Sequence, residues 1–205
     1  MKDYEGKTFE SPPATFKASK ALYFPNLHGR TLVSSTASDT TTVLKSKISI
    51  VSLFSSMWGA RQVDTFLSEK DNAPLTSALL EAGPSVQMVR INVEEDSLKY
   101  FLLRMFLGNL KRQIPKEEWA TYFLIHKGLA QDIRQELGAV NGKVGYVYLL
   151  DEACRIRWAG CGPAKESEKI GLVKGLQRLL HDARSNPNAV LPNTASSASS
   201  KTAKA

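Results

Sequence analysis

The most restrictive feature of this chain is a run of apolar and β-branched residues, Ile48–Phe54, that opens an alternation of strand-like and helix-like segments. Its length and composition are typical of a buried strand. A helix is predicted to follow it, through Gln62 toward Leu80, and residues 86–93 then alternate apolar and polar side chains as a second strand would. Because a helical connection joins the two strands, they are predicted to lie parallel in one sheet.

The C-terminal half of the chain adds antiparallel strands. Residues 145–150 and 154–159 both have strand composition, and only three residues separate them, so they are predicted to form a hairpin. Apolar residues then recur at helical spacing from about Lys165 to Ala183. This order of elements indicates an α/β protein with a thioredoxin-like fold, in which helices flank a mixed parallel and antiparallel sheet.

The region between the second strand and the hairpin is predicted to be largely helical. Ser97 is expected to cap a helix that runs to Leu110. Pro115 and the two glutamates at 117 and 118 suit the first turn of another helix. Residues 122–126 fit either a strand or a helix, so the sequence leaves that assignment open.

The 205 residues suffice for one domain with its own core, flanked by two tails. Residues 1–30 contain prolines and scattered aromatic residues without a period, which predicts an extended arm. Residues 31–184 form the predicted thioredoxin-like domain. Residues 185–205 end in a low-complexity stretch rich in serine and alanine, which predicts a disordered tail. The side chains expected to anchor the arm are Tyr23, Phe24 and Leu27.

The redox centre of thioredoxin-like proteins lies where the first core strand meets its helix, since a helix N-terminus lowers the pKa of a cysteine placed there. Residues 54–61 resemble the thioredoxin pattern W-A-E-W-C-G-P-C in spacing and in the central glycine, but Trp58 and Arg61 stand at the two cysteine positions. The loop before the hairpin has Gly145 at the position of the usual cis-proline. The chain is therefore predicted not to be a disulfide oxidoreductase.

Two cysteines, Cys154 and Cys161, are too few for a disulfide framework, which favours a reducing compartment. Along an extended strand seven residues span roughly 23 Å, far more than the Cα separation of about 6 Å that a disulfide allows. We expect Cys154 to pack on one strand face with Ile156 and Trp158, and Cys161 to lie in a turn. The alternative is that Cys161 is a lone redox-sensing or metal-binding thiol.

The sequence predicts no cofactor and no metal site. The three histidines lie at no metal-ligand spacing and pair with no nucleophile motif. Residues 160–162 form a lone Gly-x-Gly that lacks the rest of a nucleotide-binding motif. The neighbouring carboxylates at 94–96 are typical of a solvated loop.

The charge balance favours acidic partners. The 27 basic and 20 acidic residues give a net charge of +7, which suits nucleic acid, an anionic membrane surface or an acidic protein face. Arg155 and Arg157 are expected to share a strand face, but the repeated aromatic residues on which single-stranded nucleic acid stacks are missing. The sequence therefore predicts no nucleic-acid partner.

Membrane signals are weak. The longest apolar run, residues 98–110, is shorter than the ~20 residues of a spanning helix. The first residues, Met1–Glu5, have neither the apolar core of a signal peptide nor the Arg-rich composition of a transit peptide. Either the chain stays in the cytosol, or its targeting segment is absent from this sequence.

The segment 98–112 is more apolar than a surface helix requires. If it is helical, its polar side chains gather on one face, and apolar side chains cover most of the remaining circumference, whereas a globular helix needs an apolar stripe of about 100°. The surplus predicts either a well-buried core helix or a second apolar contact with a hydrophobic partner or a membrane surface. The residues expected to make that contact are Phe101, Leu102, Met105 and Phe106.

Residues 141–160 strongly resemble the C-terminal signature of the mitochondrial ATP synthase assembly factors of the "ATPase complex subunit ten" family. Two supporting stretches, 51–62 and 90–93, follow in the expected order, and the resemblance covers residues 29–180. It implies a thioredoxin-like or peroxiredoxin-like domain without redox activity. It also implies a peripheral protein on the matrix side of the mitochondrial inner membrane.

The resemblance implies a function as well. Members of that family chaperone the proton-channel subunit of the synthase's membrane sector onto the proteolipid ring, and they are not defined by catalytic residues. We therefore expect a non-enzymatic assembly chaperone whose partners are the proton-channel subunit, the proteolipid ring and the anionic inner-membrane surface. The alternative is a thioredoxin-fold thiol enzyme or redox sensor that works through Cys161. The candidate contact residues are Trp58, Arg61, Phe101, Leu102, Met105, Phe106, Arg155 and Arg157.

Overall fold

A seven-stranded mixed sheet forms the centre of the computed structural model, which describes residues 6–185. The strands are β1 (His28–Thr31), β2 (Ala37–Asp39), β3 (Ile48–Phe54), β4 (Val86–Glu94), β5 (Tyr122–His126), β6 (Tyr146–Leu150) and β7 (Ile156–Cys161). Their order across the sheet is β2-β1-β5-β4-β3-β6-β7. The predicted fold class, a mixed sheet flanked by helices, is confirmed.

The helices connect these strands. They are α1 (Thr40–Leu44), α2 (Met57–Leu67), α3 (Ala73–Ala82), α4 (Ser97–Met105), α5 (Leu107–Gln113), α6 (Gln131–Glu136) and α7 (Glu166–Ser185). Single turns of 3-10 helix occupy Gly83–Ser85 and Lys116–Glu118. A predicted helix from Pro115 is thus one turn only, and the chain continues into β5, which resolves residues 122–126 as a strand.

The centre of the sheet is parallel, as the crossover connection predicts. Strand β3 pairs in parallel with β4, with Ile48 opposite Val86, and β4 pairs in parallel with β5. Strands β6 and β7 form the predicted antiparallel hairpin, and β6 pairs antiparallel with β3. The strands β1 and β2 were not predicted, because their short polar sequences carry neither alternation nor β-branched runs.

The predicted helix from Gln62 toward Leu80 is two helices, α2 and α3. The chain leaves α2 at Ser68, whose backbone is extended. Asn72 then starts α3, since its side chain accepts a hydrogen bond from the Leu75 N–H and Pro74 occupies the first turn. An Asn cap followed by Pro is a helix-start signal in its own right, and it overrides the apolar periodicity that continues across the break.

The predicted helix from Ser97 to Leu110 is also divided. Asp96, not Ser97, caps α4, because its carboxylate accepts hydrogen bonds from the N–H groups of Leu98 and Lys99, and these bonds lower the pKa of Asp96. Phe106 leaves the helical conformation with ψ of 16° and separates α4 from α5. The two short helices therefore bend around the sheet instead of continuing as one rod.

Two apolar cores lie on the two faces of the sheet. Along β3, Ile48 and Ile50 contribute to one core, while Val51 and Leu53 contribute to the other, as strand alternation requires. Helices α2, α3 and α7 cover the first face, and α1 and α6 cover the second. The most deeply buried large side chains are Trp158, Tyr146, Tyr148, Phe66 and Phe123.

Strand β7 contains a bulge that the sequence did not reveal. Leu150 pairs with Ile156 and Leu149 pairs with Trp158, so Arg157 is an extra residue on β7. As a result Ile156 and Trp158 enter different cores. The expectation that Cys154 shares a strand face with both of them is wrong, because Cys154 lies before the strand, in a turn, at a φ of 62°.

The predicted arm is packed against the domain. Phe24 and Leu27 are buried, as expected of anchors, whereas Tyr23 is exposed and pairs with Arg155 only through a backbone bridge. Strand β1 begins at His28, inside the segment predicted as the arm. The predicted disordered tail lies outside the described residues except for its first residue, which ends α7.

Residues 7–24, called the strap below, run antiparallel to β7 and cover this edge of the sheet. The Phe16 N–H donates to the Arg157 carbonyl at 2.7 Å, and the Ile156 N–H donates to the Leu22 carbonyl at 2.7 Å. An uncovered edge strand is a template for pairing with other chains. The strap removes this hazard by satisfying the backbone of β7 with groups from the same chain.

A buried ion pair fastens the start of the strap to α7. Lys7 Nζ lies 2.6 Å from Glu168, and the two side chains are only 4% and 5% exposed. The same carboxylate accepts from the backbone and hydroxyl of Ser11 and from the Lys165 N–H. Burial acts to raise the pKa of Glu168, but the hydrogen bonds from Lys165, Lys7 and Ser11 outweigh it, and the net pKa is lowered.

Candidate functional site

The start of α2 occupies the place where redox relatives of this fold carry their cysteines. The Ser56 hydroxyl accepts from the Gly59 N–H at 2.9 Å and donates to the Lys143 carbonyl at 3.2 Å. It thereby caps α2 and ties the helix to the loop before β6. At the place where redox proteins of this fold have their two cysteines, this chain has a capped helix start with Trp58 and Arg61 at the cysteine positions.

Two glycines bring this helix start against the loop before β6. A Cβ on Gly145 would overlap the Gly59 carbonyl oxygen and lie 2.8 Å from Val63 Cγ2. The Gly145 N–H donates to Gln62 Oε1 at 3.0 Å. A proline here would lose that bond and collide with the helix. The structure therefore gives a packing reason for glycine at the position of the usual cis-proline.

Both cysteines are free and buried. The Cys161 thiol lies beneath the strap, where it accepts from the N–H groups of Thr8 and Phe9 at 3.3 and 3.4 Å and donates to the Phe9 carbonyl at 3.2 Å. Cys161 ends β7 and is not in a turn, contrary to expectation. Burial raises the pKa of the Cys154 thiol. Neither position offers a thiol that solvent can reach.

A groove of about 610 Å³ lies beside the start of α2. Helix α2 forms one wall, the α4–α5 pair forms the other, and the ends of β3, β4 and β5 form the floor. Its apolar lining residues are Phe54, Met57, Ala60, Leu102, Leu103, Phe106, Leu110, Ile114, Pro115 and Tyr122.

The inner side of α4–α5 packs on the domain. The Tyr100 ring stacks on His126 with ring centroids 4.5 Å apart, and Leu103 and Leu107 are half-buried against the core. Tyr100 therefore faces inward. Leu102 and Phe106 line the groove and are 43% and 56% exposed.

The floor of the groove carries paired charges. Arg90 Nη1 lies 3.1 Å from Asp64, and Arg90 Nε lies 3.3 Å from Glu118. One guanidinium thus joins strand β4 to α2 and to the turn before β5. These residues were not singled out from the sequence, because they lie 26 and 28 residues apart and become neighbours only through the parallel crossovers.

Two predicted contact residues lie elsewhere, on β7 and the turn before it. Arg157 is buried, donates to the Phe16 carbonyl at 2.9 Å and lies 3.2 Å from Asp151. Arg155 is 2.8 Å from the same carboxylate. The structure therefore gives both arginines partners within the chain, at the strap edge of the sheet and away from the groove. The other predicted contact residues are exposed, but only Leu102 and Phe106 line the groove; Trp58, Arg61, Phe101 and Met105 do not.

Residues 6–185 contain neither a metal-binding cluster nor a helix that could span a membrane. No cluster of three or more histidine, cysteine, aspartate or glutamate side chains in this part of the chain has an arrangement that could hold a metal ion. Within the same range, no helix is both long and apolar enough to cross a membrane.

Comparison with known proteins gives a family match along most of the chain. The sequence profile of the family described as "ATP10 protein" matches residues 1–179. The mitochondrial ATPase complex subunit ATP10 of Candida glabrata is 35% identical over 175 residues, which are 85% of this chain and 63% of the relative. That of Saccharomyces cerevisiae is 33% identical over 184 residues, which are 85% of this chain and 66% of the relative. The chain thus spans just under two thirds of the length of these relatives.

Solved structures support the fold. A secreted thiol-disulfide isomerase from Corynebacterium glutamicum superposes with a TM-score of 0.51 at 12% identity, covering 86% of this chain and 99% of the isomerase. At this identity the likeness concerns the fold alone. It confirms the predicted thioredoxin-like architecture.

Proposed function

Since the chain belongs to the ATP10 protein family, we propose that it is a non-enzymatic assembly factor for the membrane sector of mitochondrial ATP synthase. Its client is the newly made proton-channel subunit, which it holds until that subunit associates with the proteolipid ring. It acts as a peripheral protein on the matrix side of the inner membrane. The family match and the names of the relatives support this proposal.

One observation carries the proposal: the groove beside α2 has apolar, exposed walls at the place where the fold otherwise performs redox chemistry. Leu102 on α4, Phe106 directly after α4 and Met57 on α2 all line the groove and are exposed. A membrane protein that has not yet assembled exposes apolar helix surface. An apolar groove of this kind can cover part of such a helix, as helix-in-groove recognition does in other complexes.

Trp58 and Arg61 are exposed on α2, the helix that forms one wall of the groove, although neither lines the groove itself. The Trp58 side chain is exposed, although aromatic rings of this size normally contribute to a core or an interface. Trp and Arg are also the residues most enriched among side chains that dominate binding energies. We therefore include both in the client surface and leave out Arg155 and Arg157, whose side chains have partners within the chain.

The alternative, an enzyme or sensor that uses Cys161, has no support in the geometry. The thiol is buried under the strap and bonded to Phe9. We expect a chain with Cys154→Ser and Cys161→Ser to retain its assembly function in mitochondria that lack the native protein. Loss of function in a variant that folds normally would favour the thiol enzyme.

The proposed function is tested by immunoprecipitation of the tagged protein from mitochondria whose own translation products have just been labelled. We expect one enriched band, the proton-channel subunit. A variant with Leu102→Glu and Phe106→Glu places two charges in the groove and is expected to reduce that band by about tenfold or more.

The matched control is Leu80→Glu, which places a charge at an exposed leucine on α3, outside the groove. It is expected to capture the client as the unmodified chain does. If the unmodified protein is folded and present in the organelle but enriches no band, the client is wrong. If the groove variant captures the client undiminished, the groove is wrong.

A further inference from the structure

The outer face of α4 carries an apolar stripe that belongs to neither the core nor the groove. Leu98, Phe101 and Met105 are 68%, 57% and 63% exposed, and none of them lines the groove. Their spacing of three and four residues places them on one side of the helix. These three residues are called the outer stripe below. Neighbouring large apolar side chains that are exposed to solvent in this way indicate an interaction site.

The charges around the stripe are of one sign. Helices α4 and α5 contain four basic residues and no acidic residue. Lys111 lies over the Trp119 ring, 5.0 Å from its centroid. The other three basic side chains are exposed: Lys99, Arg104 and Arg112.

The acidic residues near this surface precede α4. Asp96 is engaged by the first N–H groups of α4, Glu95 is paired with Arg134, and Glu94 accepts from the Asp96 N–H. The negative charge near α4 thus lies at its N-terminal end, whereas Arg104 and Arg112 lie toward its C-terminal end and on α5. Beyond α5, Glu118 is paired with Arg90, and exposed Glu117 stands next to exposed Lys116. An anionic surface would approach the helix pair from the α5 end.

We propose that the outer stripe inserts among the headgroups of an anionic lipid surface, with Arg104 and Arg112 against the lipid phosphates. An exposed apolar stripe flanked by basic side chains is typical of helices that lie in the plane of a membrane interface. Charge complementarity selects this occupant, because an uncharged apolar protein helix would gain nothing from the surrounding cations. Insertion among the headgroups also shields the apolar stripe from water without a protein cover.

This arrangement gives the two sides of α4 different tasks. Its outer stripe lies on the lipid while Leu102 and Phe106 face the groove, so the groove opens close to the membrane surface. A client helix leaving the bilayer would reach it without crossing open solvent. The identity of the membrane and of the client rests on the proposed function, but lipid binding itself does not.

The experiment is flotation of the purified chain with two kinds of vesicle: phosphatidylcholine alone, and phosphatidylcholine mixed with phosphatidylglycerol. We expect binding to the mixed vesicles only. A variant with Leu98→Ser, Phe101→Ser and Met105→Ser is expected to lose it. A variant with Arg104→Gln and Arg112→Gln is expected to bind about tenfold or more weakly, since each basic residue near an anionic surface contributes about fivefold.

Controls separate this inference from the proposed function. Leu80→Ser removes an exposed leucine on α3, and Lys70→Gln removes an exposed charge after α2, so both should float as the unmodified chain does. Equal thermal unfolding of all variants shows that they are folded. The inference is overturned if the unmodified chain floats with neither vesicle, or if the outer-stripe variant floats undiminished. A chain that floats but captures no proton-channel subunit overturns the proposed function instead.

Discussion

The strap edge and the groove side of this domain treat apolar and polar groups in opposite ways. At the strap, a buried lysine and glutamate are paired, the backbone of β7 finds partners, and the Cys161 thiol is hydrogen-bonded. At the groove, large apolar side chains of α4 stay exposed beside charged residues.

The contrast separates stability from function. Covering the edge strand and satisfying the buried charges stabilise the fold, so substitutions there should unfold the protein. Exposed leucine and phenylalanine stabilise nothing in the isolated chain, so substitutions there should leave folding intact and change binding.

The largest effect is expected when the buried ion pair is broken at one end. Glu168→Ala leaves the Lys7 ammonium buried without its carboxylate and should lower the free energy of unfolding by about 3–5 kcal/mol, measured by denaturant titration. The double variant Lys7→Met with Glu168→Leu removes both charges and should recover part of this loss. Equal stability of the single variant and the unmodified chain would mean that the strap does not hold the fold.

A second test concerns the close packing at the start of α2, from which one groove wall rises. Gly145→Ala places a methyl group against the Gly59 carbonyl and Val63 and should lower the free energy of unfolding by about 3 kcal/mol, the upper range for overpacking. The control is Gly142→Ala in the same loop, whose Cβ would lie 3.6 Å from the Arg134 guanidinium, an ordinary contact. If both variants have the same free energy of unfolding, the start of α2 can shift to accommodate the added methyl group, and the close packing does not constrain it.

A smaller effect concerns pH at the strap. Because folding lowers the pKa of Glu168, its carboxylate stabilises the fold fully above the ordinary glutamate pKa of 4.5, and this contribution is lost as the pH falls below it. The stability difference between the unmodified chain and Glu168→Gln should therefore shrink as the pH is lowered. The other carboxylates are common to both proteins and cancel in this difference. If the difference in the free energy of unfolding stays constant as the pH is lowered, the charge of Glu168 does not stabilise the strap, and its other contacts do.

The smallest effect is expected on the outer stripe. Phe101→Ser removes an exposed ring that contributes to no core cluster, so the free energy of unfolding should change by no more than about 0.5 kcal/mol. Differential scanning calorimetry of this variant beside Glu168→Ala compares the two regions directly. A loss of several kcal/mol would mean that Phe101 is covered in solution and that the contrast between the regions is false.

Much of the fold was predictable because strong local patterns carried it. The apolar run of β3, the alternation of β4 and the three-residue connection before β7 each fix a neighbour relation without reference to the rest of the chain. A local signal, the Asn72 cap followed by Pro74, marks the break between α2 and α3, whereas the break at Phe106 between α4 and α5 has no side-chain cap; apolar periodicity across both breaks suggested longer helices. A helix cap and apolar periodicity are competing signals, and at Asn72 the cap determines where the helix begins.

The candidate site was predictable only in part. The surplus of apolar residues between 98 and 110 pointed to the exposed side of α4, and the loss of both redox cysteines pointed to the start of α2. The cluster of Arg90, Asp64 and Glu118 joins residues 26 and 28 positions apart, and no local sequence pattern predicts such a contact. The bulge at Arg157 likewise reversed the faces of β7, since one extra residue changes the side on which every later side chain lies.

The strap also fixes the order in which this molecule can be completed. Its residues form hydrogen bonds with groups 130 to 161 positions later in the chain, among them the Arg157 side chain and Glu168. A chain made from its N-terminus must therefore keep the strap unpaired until β7 and α7 exist, and closing so long a loop is slow compared with forming a local helix. Until that moment β7 is an open edge, so docking of the strap is also the step that protects the protein from pairing with its neighbours.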